Sequence, residues 1–329
     1  MAAVLSVLAV YSICASPLDT KAAWNYAARH QTQALIIQQN GRVLFEQYSS
    51  GGHDTKRMLA SGTKSFNGVL LAAGVDDGLV KWNTTASELI PSWKEDARKL
   101  RITLRQLISL DSGLGGGQIG LGGKSWDEAV KTPARFEPGT RFQYGPTPFF
   151  VFGSALENAL KGASYEDWLK KRLLDPLGIT VEWTMRTAEG KPQNAGGASM
   201  TARDWASFGQ LLLDGGRHRG RTIVKAESLA ELVKPTQANP SYGVSFWLGK
   251  TQAASAIRGR SSPADERAPL DLYQAVGAGN QKLMIVPSLS LVIVRMGPLG
   301  GARQWDDGEF FGALLGKASP SSGRSSGSP

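Results

Sequence analysis

The chain has 329 residues, 41% of them hydrophobic and 20% charged, with a formal net charge of +9. That composition excludes a disordered chain, a peptide-sized scaffold and a collagen-like repeat; the length fits two ordinary domains or one large α/β domain with a helical insert. The only cysteine, Cys14, excludes an internal disulfide, and three histidines leave little room for a multi-histidine metal site.

Residues 2–15 are apolar or small and uncharged, as in the hydrophobic stretch of a secretory signal, and too few to span a bilayer. The expectation is a signal peptide over 1–15 and an exported protein, periplasmic or extracellular. No Lys or Arg precedes the stretch and Ile13 is bulky for a cleavage site, so a buried first helix is the alternative. No run of membrane-spanning length follows, so integral membrane association is not expected.

Residues 18–33 read as a helix. Two strand-like runs, 34–39 and 42–48, flank Asn40-Gly41, the strongest short hairpin signal. Residues 63–77 are helical and end at Gly78. A long helical and loop region follows, with helices expected at 103–110, 149–160, 165–173, 201–213 and 225–233. Strand character returns at 242–248, 270–276, 281–286 and 291–296, and a last helix is expected at 307–315. Strands at both ends and helices between predict one antiparallel sheet, covered by the terminal helices, with a mainly helical lobe inserted at about 82–235. The domain would run over 18–316, with a cleft between lobes as the place for a substrate. Residues 317–329 are mostly Ser, Gly and Pro and read as a disordered tail.

The basic excess is scattered. Its densest clusters, Arg217, His218, Arg219 and Arg221 and the mixed run 94–105, lack interleaved aromatics, so nucleic acid is not an expected partner. Exported, such a surface would favour anionic polymers of the cell envelope. Gly115-x-Gly117-x-x-Gly120 matches a dinucleotide fingerprint but follows a helix and a Ser-Gly turn, so a loop bordering the cleft is the better reading. Gly122-Gly-Lys-Ser125 lacks the earlier glycine of a phosphate loop, and Gly323-Arg-Ser-Ser-Gly327 lies in the tail. His30, His53 and His218 have no partner at metal spacing, and no Ser-His-Asp triad has good candidates.

Ser61-Gly-Thr-Lys64 is the one Ser-x-x-Lys in the chain, at the start of a helix. Serine and lysine three apart share one face, so the amine can reach the hydroxyl. A buried lysine loses its charge readily and in neutral form can take the serine proton. Backbone N–H groups at a helix start favour the negative charge that develops in acyl transfer. The bland alternative is a helix cap beside a solvent-facing lysine.

The segment through Met58, Ser61, Lys64, Ser65 and Phe66 resembles the active-site segment of the penicillin-recognising serine hydrolases, a group that includes class C β-lactamases, DD-peptidases and related esterases. Further stretches resemble the same group in order: 103–114, 138–144, 174–178 and 197–209. Together they cover roughly 34–296. The resemblance implies an α/β fold of the β-lactamase/transpeptidase type. It also implies Ser61 as nucleophile, with Lys64 and Tyr144 as general base and acid, and no metal or organic cofactor. A phenol beside a lysine ammonium can relay a proton to a leaving group.

Two motifs depart from the group. Tyr144-Gly145-Pro146 has proline where an asparagine amide would meet a substrate carbonyl. The third motif reads best as Ala278-Gly279-Asn280, with no cation at its first position. Gly279, Asn280 and Pro146 are then expected to line the substrate, with the N–H groups of Ser61 and Gln281 as the oxyanion hole. These changes favour a small ester or amide as substrate over an efficiently cleaved β-lactam, with a cell-wall peptide as a further candidate. The alternative is a non-catalytic binding or regulatory protein that keeps the fold.

Overall fold

A computed structural model describes residues 17–118, 125–249, 267–300 and 304–316. The expected signal peptide with Cys14, the tail with its Gly323 motif, and Gly120 and Gly122 of the glycine-rich loop lie outside the described residues.

Helix α1 (Thr20–Arg29) is capped by Asp19, whose carboxylate accepts from the N–H of Ala22 at 2.8 Å. Asn40 and Gly41, with φ of +51° and +73°, turn β1 (Ala34–Gln39) back into β2 (Arg42–Tyr48). A two-residue strand, β3 (Arg57–Met58), leads into a 3₁₀ turn, Ala60–Thr63, and then into α2 (Lys64–Asp76). The helical region holds α3 (Ala86–Leu89), α4 (Leu104–Ile108), α5 (Trp126–Val130), α6 (Thr147–Leu160), α7 (Tyr165–Leu169) and α8 (Asp175–Leu177). Strands β4 (Glu182–Trp183) and β5 (Ala198–Met200), helix α9 (Ala202–Leu213), the hairpin β6 (Arg217–His218) and β7 (Arg221–Thr222), and α10 (Ala226–Ala230) follow. The last elements among the described residues are β8 (Trp247–Leu248), β9 (Tyr273–Gly277), β10 (Gln281–Val286), β11 (Leu291–Met296) and α11 (Asp307–Leu314).

The main sheet is antiparallel, in the order β2-β1-β11-β10-β9-β8. The first hairpin therefore pairs with the last strand, Ala34 opposite Met296, which joins the two ends of the chain. Alternation sends Leu291 and Ile293 to one face, where α1 and α11 cover them with Tyr26, Phe310 and Phe311. Val292 and Val294 face the other way, into the larger core that contains Trp205 and Phe208 of α9 and Phe66 of α2. Helix α2 packs into that core with Lys64 as its first residue, and Ser61 sits in the 3₁₀ turn just before it.

One expected strand, 242–248, shrinks to Trp247–Leu248. The chain doubles back before it: Gly243 donates to Phe246 O at 2.9 Å, and Ser245, at φ +71°, donates to Ile108 O at 3.1 Å. The small sheet β3-β5-β4 has no counterpart in the sequence reading, since strands of two or three residues carry no periodicity. Among the described residues, no helix is long and apolar enough to cross a membrane, and no group of acidic, His and Cys side chains gathers as a metal site.

Candidate active site

Ala60, at φ +47°, occupies the left-handed region that side chains disfavour, and this places Ser61 at the head of a sharp 3₁₀ turn. Ser61 is half-buried, whereas Lys64 is only 4% exposed. The Lys64 Nζ lies 3.1 Å from Ser61 Oγ and donates to Ala195 O at 2.6 Å. The aromatic faces of Tyr144 and Phe149 stand 5.1 and 5.3 Å from it, centroid to nitrogen. Burial pushes the amine down from 10.5 to about 7. A neutral amine suits these partners: it donates to Ala195 O and accepts the Ser61 proton.

The Tyr144 phenol lies close enough to Ser61 to act on it, on the same side as the Lys64 amine, whose nitrogen faces its ring. Burial raises the phenol above its ordinary range, and Ser61 pulls it partly back. Tyr144 is held from two sides. Its ring stacks on Trp247 of β8, centroids 5.8 Å apart at 29°. Its backbone lies against the loop at Gly116, where an added Cβ would come 2.2 Å from Tyr144 O. The loop of Gly115 and Gly117 therefore packs against the tyrosine and the start of α6.

The remaining expected residues fall differently. Pro146 caps α6, and its carbonyl accepts from the N–H groups of Phe149 and Phe150 at 3.0 and 3.1 Å. Gly279 and Asn280 form the turn between β9 and β10, at φ +75° and +56°. Their carbonyls accept from the buried Arg295 guanidinium at 2.5 and 2.9 Å. The Gln281 side chain turns to Gly297, whose N–H donates to Gln281 Oε1 at 3.1 Å. It is Gly277, at the end of β9, that packs on the serine turn, its would-be Cβ 2.0 Å from Leu59 O and 3.1 Å from Gly62 N. His53 pairs with exposed Asp54 at 3.0 Å.

The β-lactamase family model matches residues 25–297. The chain belongs to the β-lactamase family. Among curated proteins nothing matches it. A candidate β-lactamase from Bacteroides dorei DSM 17855 superposes with a TM-score of 0.73 at 21% identity, covering 91% of this chain and 98% of its own. EstCE1, a hydrolase with promiscuous acyltransferase activity, gives 0.70 at 15% identity, covering 90% and 97%. A D-stereospecific amidohydrolase from Streptomyces gives 0.65 at 16%, covering 91% and 100%. At these identities the likeness is one of fold, an antiparallel sheet flanked by helices as in the β-lactamase family.

For this β-lactamase-family chain, sequence reasoning missed Ala195, Trp247 and Gly277. Ala195 stands two residues before the stretch 197–209 that carried the resemblance, and it acts through its backbone carbonyl. Trp247 gives only a hydrophobic signal, and Gly277 sits two residues before the glycine read as the third motif.

Proposed function

We propose that the protein is a serine hydrolase that cleaves an uncharged ester or amide through an acyl-enzyme. The observation that carries this reading is the contact of 3.1 Å between the Ser61 hydroxyl and a lysine amine that burial holds at a pKa of about 7. Near neutral pH about half of such amines are free to act as base. Ser61 Oγ attacks the carbonyl carbon while its proton passes to Lys64 Nζ. The N–H of Ser61 and an N–H from the turn 277–281, which includes the expected Gln281, hold the oxyanion. The tetrahedral intermediate collapses as the leaving oxygen or nitrogen takes a proton from the Lys64–Tyr144 pair. Water, deprotonated by the same pair, then releases the acid and restores the serine.

The strand beside the serine turn also bears on the substrate. Ala275 and Gly277 of β9 face the core on the serine side, and neither can pair with a substrate carboxylate. This supports an acyl group without a recognition carboxylate over a cell-wall peptide or a β-lactam.

The test is labelling of the purified protein by a fluorophosphonate and by a fluorescent penicillin, beside Ser61→Ala, with a panel of p-nitrophenyl esters. The reading expects phosphonate labelling and ester turnover that both need Ser61. Silence of the wild type towards all three reagents would overturn it in favour of a binding protein. Strong, Ser61-dependent penicillin labelling would overturn the substrate class.

A further inference from the structure

Two asparagines lie behind Lys64, both fully buried. Asn67 follows Lys64 by three residues on α2, so its side chain folds over the same turn of helix. Its Nδ2 donates to Lys64 O at 3.1 Å and to Asn194 O at 2.8 Å. Its Oδ1 accepts from the Tyr165 hydroxyl at 3.1 Å and from Asn194 Nδ2 at 3.0 Å. Asn194 Nδ2 also donates to Phe149 O at 2.8 Å. The acceptors Phe149 O and Asn67 Oδ1 fix which way the Asn194 amide points, since a flipped amide would set oxygen against oxygen.

This knot ties together the segments that carry the catalytic groups. Helix α2 bears Lys64, α6 begins three residues after Tyr144, and Asn194 precedes Ala195, whose carbonyl accepts a hydrogen bond from the amine at 2.6 Å. Asn194 Oδ1 is buried without a hydrogen-bond partner, an arrangement that costs stability. A pair of apolar side chains of the same size would avoid that penalty, so packing alone does not account for the asparagines.

The geometry points to Asn67 and Asn194 as positioning residues that hold the Ala195 carbonyl on the Lys64 amine and so keep that amine on Ser61. The inference rests on Lys64 as the base of the proposed reaction. With the knot cut, the carbonyl retreats, the protonated amine loses its best acceptor, and the neutral amine is no longer aimed at the hydroxyl.

The test is the double variant Asn67→Leu with Asn194→Leu, which removes both polar partners together, assayed by the rate of fluorophosphonate labelling of Ser61 from pH 5 to 9. Thermal unfolding of the same samples reports folding. The plateau rate should fall on the order of tenfold to a hundredfold, as a small misplacement of a reacting group does. The acid limb should move to lower pH by half a unit or more. Tyr165→Phe, which removes only the hydroxyl on Asn67 Oδ1, should move rate and limb the same way by less. It decides the matter if the double variant melts below the assay temperature. A plateau within twofold of wild type and an unmoved limb, in a variant that is folded, would overturn the inference. Absence of Ser61-dependent labelling in the wild type would instead refute the proposed nucleophile.

Discussion

Replacing Lys64 with methionine should stabilise the protein, and by an amount that depends on pH. The amine falls from 10.5 in the unfolded chain to about 7 in the fold because burial strips its hydration. A shift of that size corresponds to about 5 kcal/mol between the two protonation states. Below pH 7 the amine is charged in both states and the whole penalty is present. Between pH 7 and 10.5 the unfolded chain holds a proton that the folded chain has released, so wild-type stability rises with pH there. The rise from pH 7 to pH 9 amounts to about 2 kcal/mol. Methionine fills similar volume and does not titrate; the Ala195 carbonyl it leaves without the amine costs about 1 kcal/mol at every pH. Urea unfolding at pH 7, 8 and 9, followed by tryptophan fluorescence, measures both proteins under the same conditions. The Lys64→Met variant should be the more stable at pH 7, with the gap closing by about 2 kcal/mol at pH 9. Parallel stabilities across that range would mean that the amine keeps its ordinary pKa, and the neutral base of the mechanism would go with it.

Tyr144→Phe keeps the stack on Trp247 but removes the hydroxyl beside Ser61; kcat should fall about 10²–10⁴-fold with KM little changed, and a kcat within threefold of wild type would remove the phenol from the proton path. In Gly277→Ala the new Cβ starts 2.0 Å from Leu59 O, so the serine turn must shift; labelling of Ser61 should drop at least about tenfold and the melting temperature with it, whereas wild-type labelling would show that the strand end gives way freely. Burial pushes the Asp111 carboxyl up to about 6 against 3.8 when unfolded, so its charge destabilises the fold progressively from pH 4 to 6. Asp111→Asn should accordingly gain up to about 3 kcal/mol at pH 7.5 and nothing below pH 4, by denaturant titration at the two pH values. Lys282→Met leaves the buried Asp307 carboxylate without the ammonium now 2.8 Å away and should cost about 3–5 kcal/mol; an unchanged unfolding midpoint would show that Gln274 and Trp305 suffice.

The sheet was legible where strands were long and their turns chemically explicit. β1, β2, β10 and β11 begin and end where the strand-like runs of the sequence do, with Asn40-Gly41 between the first pair. The Ser61–Lys64 contact follows from spacing alone, because a helical turn brings such a pair together. The rest of the candidate site depends on chain segments distant in sequence. Ala195 offers a backbone carbonyl 131 residues beyond Lys64, and nothing in its side chain marks it. Gly277 matters through the Cβ it lacks, and only the position of Leu59 O reveals the need. The run 242–248 has strand composition, yet the backbone bonds of Gly243 and Ser245 fold it into a turn. Asn67 looks like an ordinary polar residue in a helix until Asn194 and Tyr165 are seen around it.

The most direct measurement is the second-order rate of fluorophosphonate inactivation as a function of pH, with the modified residue located by mass spectrometry. Attack by a serine whose base titrates at about 7 predicts a single adduct on Ser61. It also predicts a rate that is flat above that pH and falls about tenfold per unit below it. A rate that keeps climbing to pH 10, or an adduct that persists in Ser61→Ala, would contradict the account.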